Sequence, residues 1–183
     1  MAEVPHEPEP IAATRRWLER AVIGLGLCPF AKAVHAKRQI RYVLAEATTP
    51  DGLAHVLESE LERLRAADPE VLDTTLIVHP HVLRDFLDYN DFLDVADACI
   101  DRMGLRGDIQ VASFHPDYVF AGEAADDPAN CTNRSPYPML HLLREASVER
   151  AVAAFPDPDA IVDRNIERMR GLGVDGYRRL LAD

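Results

Sequence analysis

Apolar positions recur along this chain with two periods, and the switches between them mark its elements. From Ile11 to Gly26, Trp17, Leu18, Ala21 and Leu25 repeat on one helical face, with Arg15, Arg16, Glu19 and Arg20 elsewhere. Cys28-Pro29 punctuates that helix, and a short one restarts at Pro29. Ile40–Ala45 reads as a strand. Thr49-Pro50-Asp51 opens a helix to about Ala67, with Leu53, Val56, Leu57, Leu61 and Leu64 inward. Asp73–Val78 is a second strand, rich in β-formers. The cleanest helical stripe, Tyr89, Phe92, Leu93, Ala96, Cys99, Ile100 and Met103, spans a helix from about Leu83 to Met103 that Gly104 stops. Asp108–Phe114 is a third strand.

Residues 115–138 break the pattern with four prolines and few apolar positions. A stretch this long without an element is usually functional or disordered, and Tyr118, Phe120 and Tyr137 favour an ordered loop. Helix is expected again from Pro138 to Phe155, from the Asp157-Pro158 cap to about Arg170, and from Val174 to Leu181. Residues 1–10 read as a flexible acidic tail, and 11–183 as a single α/β domain with a small sheet of three or four strands flanked by helices. Right-handed crossovers would make the first three strands parallel. The alternative is a ferredoxin-like α+β sheet with an extra strand near Tyr118–Ala121.

Composition narrows the function classes. With 183 residues and ordinary apolar and charged content, the chain is long enough to bury its own core. A net charge of −11, from 20 basic against 31 acidic residues, argues against nucleic acid as a partner. No apolar run reaches the length of a bilayer span, and the acidic, proline-rich start is unlike a signal peptide, so a cytoplasmic location without membrane association is expected. Three cysteines, with no C-x-x-C, do not make a disulfide framework.

The chemistry concentrates at a few positions. Strand two runs into His79-Pro80-His81 and strand three into His115-Pro116-Asp117. In extended chain, i and i+2 share a side, so each motif would aim two polar groups beyond the carboxyl end of its strand, where open α/β sheets bind ligands. One reading is a site: His79, His81, His115 and Asp117 as ligands for zinc, iron or manganese, or His115 and Asp117 as acid–base groups. The other is punctuation, each His capping a turn.

Arg134, flanked by Asn133 and Tyr137, precedes the expected helix at Pro138. A helix N-terminus with an arginine fork suits a small anionic ligand. Within that helix His141 would face away from the apolar stripe, with Glu145 at i+4 holding its tautomer, as a further base or ligand. Cys28, at a helix start followed by Lys32, Lys37 and Arg38, is a candidate nucleophile or soft ligand; the opposing reading is a small buried hydrophobe. Cys99 belongs to the core, and Cys131 sits in the long loop. Asp85 is either a helix cap or part of the site.

The segments Gly26–Ala31 (GLCPFA), His81–Leu93, Gln110–Tyr118 with Phe120–Gly122, and Thr132–Ala146 (TNRSPYPMLHLLREA) are long and specific. Through them nearly the whole chain past the tail resembles the bacterial domain-of-unknown-function family fourteen-fifteen. That resemblance implies a stand-alone bacterial protein and carries no catalytic residues with it. The residues themselves point to an enzyme acting on a small anionic metabolite or peptide-like substrate, by metal-assisted hydrolysis or by thiol chemistry at Cys28. The alternative is a non-catalytic metal-, haem- or partner-binding module.

Overall fold

The computed structural model describes residues 7–155, 157 and 160–182. The expected tail lies mostly outside these, and helix already begins inside it: α1 is Glu9–Trp17, opened by Pro8 and Pro10. It runs on as a π-helical stretch, Leu18–Ile23, whose i→i+5 bonds include Gly24 N–H to Glu19 O and Leu27 N–H to Val22 O. Then follow α2 (Ala31–Ala36), β1 (Ile40–Leu44), α3 (Pro50–Ala66), β2 (Thr74–Val78), α4 (Phe86–Arg102), β3 (Ile109–Phe114), a 3₁₀ turn (Pro128–Thr132), β4 (Met139–Arg144), α5 (Glu145–Ala153) and α6 (Ile161–Leu181).

Local signals set the helix ends. Thr49 caps α3, its hydroxyl accepting from Gly52 N–H, with Pro50 at the first position. Asp85 caps α4 by accepting from Leu87 N–H (2.8 Å) and Asp88 N–H (3.2 Å), which decides its role as a cap. Gly104, at φ 66°, closes α4 with a Leu105 N–H to Ile100 O bond, a left-handed turn suited to glycine. The expected Asp157-Pro158 cap involves Pro158, outside the described residues. α6 comprises two helical segments, as expected at the C-terminus, separated by the non-helical Gly173 (φ 71°, ψ 163°).

The sheet has four strands in the order β1-β2-β4-β3. β1 and β2 are parallel; β4 is antiparallel to both β2 and β3. The first three strands therefore share one direction as expected, but β2 and β3 are not neighbours. The helix expected over Pro138–Phe155 is instead the inserted strand β4 followed by α5. Met139, Leu140, Leu142 and Leu143 are all buried. A strand buried on both faces loses its alternation, and its apolar run then fits helical spacing equally well. The extra strand is this one; Tyr118–Ala121 is loop.

Helices cover both faces. α3 and α4 pack Leu53, Leu57, Leu61, Leu64, Phe92, Ala96 and Ile100 against Ile77, Leu140 and Leu142. On the other face Trp17, Leu18, Ala21, Val22 and Ala31 meet Leu76 and Met139, with Met169 and Tyr177 of α6 closing the layer.

Tyr89 joins these parts. Its buried hydroxyl donates to Met139 O (2.8 Å) and accepts from Phe114 N–H (2.9 Å), tying the start of β4 to the end of β3. Tyr89→Phe would strand both backbone groups without opening a cavity. It is expected to cost about 1–3 kcal/mol of stability in urea unfolding; no loss would show that the two groups find other partners.

Candidate functional site

The His-Pro motifs form turns. At His115-Pro116-Asp117-Tyr118 the Tyr118 N–H returns to His115 O (3.2 Å), with proline second in the turn. His115 Nδ1 accepts from Asp117 N–H (3.0 Å) and its Nε2–H donates to Leu83 O (3.2 Å), so both ring nitrogens serve the backbone. Leu83 stands at φ 56°, an uncommon conformation for leucine that its carbonyl's bond to His115 helps to hold. His79 is fully buried. Its Nδ1–H donates to Val82 O (3.0 Å), and its Nε2 has no partner. The two rings flank Tyr89, at 5.9 Å and 5.1 Å between centroids.

The chain bends at each proline, so i and i+2 do not stay on one side. His81 is exposed, its Nε2 3.5 Å from Glu46, and Asp117 is exposed on its own turn. The ligand set His79, His81, His115 and Asp117 does not assemble, and among the described residues no group of three or more His, Cys, Asp or Glu is placed to share a metal ion. Nor is His115–Asp117 an acid–base pair, since backbone groups occupy both imidazole nitrogens. Punctuation is the reading that the geometry bears out for these motifs.

His141, expected on a helix, is at the middle of β4, opposite Leu76 and Ala112. Its partner is not Glu145 but Thr74, whose Oγ1 lies 2.7 Å from Nε2. The same Thr74 hydroxyl donates to Leu142 O (2.6 Å). One hydroxyl has one proton, so His141 carries its own on Nε2. Cys28 and His141 line one cavity of about 40 Å³ between the sheet and the layer of α1, the π stretch and α2. Burial pushes the Cys28 thiol up, against the pull of the Phe30 and Ala31 N–H groups on its sulfur. Burial also pushes His141 down to about 4. Burial thus favours the neutral form of each, and the cavity is far too small for a haem.

Arg134 lies elsewhere. Its Nε donates to Tyr118 O (3.1 Å) and an Nη to Ala125 O (2.7 Å). Its own carbonyl accepts from Trp17 Nε1–H (3.0 Å) and from the Tyr177 hydroxyl. Asp127, close by in the same loop, pairs with Arg170 (2.9 Å). Arg134 lines an open cleft of about 750 Å³ with Arg178, Arg179, Asp126 and Asp175, where α6 restarts after Gly173. The other two expected binding residues are not there. Asn133 Nδ2 donates to Ser113 O (3.1 Å), and the Tyr137 hydroxyl donates to Glu9. Sequence reasoning missed Thr74, Trp17 and the Arg178–Arg179 pair. Only the glycines at 171, 173 and 176 ahead of that pair marked the helix break that builds the cleft.

The whole arrangement is a helix-covered mixed sheet with a small, mostly apolar cavity at Cys28 and His141 and the open, charged Arg134 cleft on the α1/α6 side. The chain belongs to the family described as "Protein of unknown function (DUF1415)", whose model matches residues 9–179. Neither the curated proteins nor the solved structures contain a match to it.

His79 and His141 both have imidazoles held down to about 4 by burial, against an ordinary 6.5. Each takes up its proton more readily in the unfolded chain, so stability is full above about 6.5 and falls as pH drops toward about 4. The loss is on the order of 3 kcal/mol per group. Urea midpoints from pH 7.5 to 4 should show this decline, and His79→Gln and His141→Gln should each flatten it; an unchanged slope in both variants would contradict the assignment.

Proposed function

We propose that this protein binds a small anionic metabolite in the Arg134 cleft. The observation that supports this most directly is Arg134 itself, whose guanidinium is fixed at two nitrogens by the Tyr118 and Ala125 carbonyls while it lines an open cleft with two further arginines. A pre-positioned fork binds carboxylate or phosphate with less loss of side-chain freedom than a mobile one. The rest of the chain is strongly acidic, which makes three arginines on one cleft a local exception.

Two carboxylates, Asp126 and Asp175, line the same cleft, and Arg178 Nη1 is 3.5 Å from Asp175. The excess of positive charge is thus small, three against two. That favours a ligand with an anionic group for the arginines and a hydroxyl or ammonium donor for the acids over a bare polyanion. An amino-acid-like or hydroxy-acid metabolite meets both demands. No helix among the described residues is long and apolar enough to cross a membrane.

Calorimetric titration with citrate, phosphate and aspartate at constant ionic strength tests this. At least one should bind where chloride does not. The double variant Arg178→Ser/Arg179→Ser leaves the backbone bonds of Arg134 in place and should weaken binding about tenfold or more. Equal binding by parent and variant, or none beyond chloride, would overturn the reading.

A further inference from the structure

The loop that interrupts the sequence pattern folds against the first half of α6 and leaves a partly open cavity there, apart from both the Arg134 cleft and the Cys28 cavity. It holds about 380 Å³. On α6, Asn165 and Ile166 stand three and four positions after Val162, so the three share one face. Ala129 and Thr132 of the 3₁₀ turn are three apart and line up on the opposite side. Phe120 and Ala121 add a wall from the loop. Side chains brace this space in advance. Asn130 Oδ1 accepts from Phe120 N–H (2.9 Å) and its Nδ2 donates to Ala124 O (2.8 Å). Arg170 fastens Glu123 (3.3 Å) and Asp127 (2.9 Å) to α6.

Two polar side chains of this lining have a buried atom with nothing to bond. Asn165 is 6% exposed; its Nδ2 donates to Leu27 O (2.7 Å), which fixes the orientation of the amide, and its Oδ1 has no partner among the described residues. Thr132 Oγ1 is likewise buried and without a partner among them. Buried polar groups are nearly always hydrogen-bonded, so two unmet ones on the walls of one cavity call for a ligand that meets them. From this juxtaposition we infer that the cavity binds an uncharged aromatic molecule of one or two rings carrying an N–H or O–H donor, of the indole or phenol class. Each part of that description follows from a wall. Asn165 Oδ1 can only accept, so the ligand donates; the Thr132 hydroxyl can take either role. A water occupies about 30 Å³ of the liquid, so 380 Å³ is the share of about a dozen waters, room for a bicyclic ring of about ten heavy atoms. The Phe120 ring and the aliphatic side chains favour a flat apolar body. Glu123 at this cavity repels an anion, and its pairing with Arg170 weakens its pull on a cation. The guest therefore differs in kind from the anion of the Arg134 cleft, and neither reading depends on the other.

Calorimetric titration of the full chain with 3-methylindole and 1-methylindole reads the donor directly, because the two isomers match in size and apolar area and only the first has an N–H. 3-Methylindole should bind about tenfold or more tighter than 1-methylindole. Asn165→Leu should remove that preference. Ala121→Trp, at an exposed position on the cavity's edge, leaves both polar groups in place and fills part of the space. It should weaken 3-methylindole about tenfold or more, and it covers the case in which Asn165→Leu fails to fold. No binding of 3-methylindole, equal binding of the two isomers, a preference that survives Asn165→Leu, or undiminished binding by the Ala121→Trp protein would each overturn the inference.

Discussion

The middle of this sheet cannot be left with open edges. β2 and β3 run in the same direction, and both sit between helical layers, where unpaired backbone donors and acceptors are costly. β4 fills the gap with antiparallel ladders on both sides. Its ends are fastened by side chains. Tyr89 ties Met139 O to Phe114 N–H at one end. At the other, Arg144 reaches the Leu64, Ala67 and Leu72 carbonyls and sets a cation against the C-terminus of α3. The three-layer arrangement and the placement of His141 follow from that insertion.

The same insertion explains what could and could not be read in advance. The α4 stripe and the first three strands were legible because each has one dominant burial face or a dense run of β-formers between breakers. β4 was not, since burial on both faces leaves four apolar residues at spacings a helix also satisfies. Its neighbour α5 reinforced the error, because a single helix over Pro138–Phe155 merges the two smoothly. The His-Pro motifs failed for a different reason. Proline ended each strand as expected but also turned the chain, so the rule for extended backbone no longer applied to the residue after it.

Of the candidate residues, Arg134, Asn133, Cys28 and His141 line a cavity or cleft, each with neighbours that sequence spacing could not supply. Cys28 and His141 are 113 positions apart and line one cavity only because β4 is central. The arginines of the cleft come from the long loop and from α6. Trp17 links the two regions: its indole N–H holds the Arg134 carbonyl, while its ring lines the Cys28 cavity and stands edge-on to Phe114 at 5.1 Å. Movement of that indole would be felt in both.

The π-helical stretch at Leu18–Ile23 gives this geometry a local tolerance of chain length. Each π turn accommodates one residue more than an α turn does. Upstream of it stand Trp17 and its bond to Arg134 O; downstream stand Leu27 and Cys28. An α-helix with one residue fewer would complete nearly the same rotation, because the wide turn takes up the extra residue within itself. A single-codon deletion in this stretch would therefore leave Cys28 at nearly the same angle to Trp17, whereas a deletion in a plain α-helix rotates everything after it by about 100°.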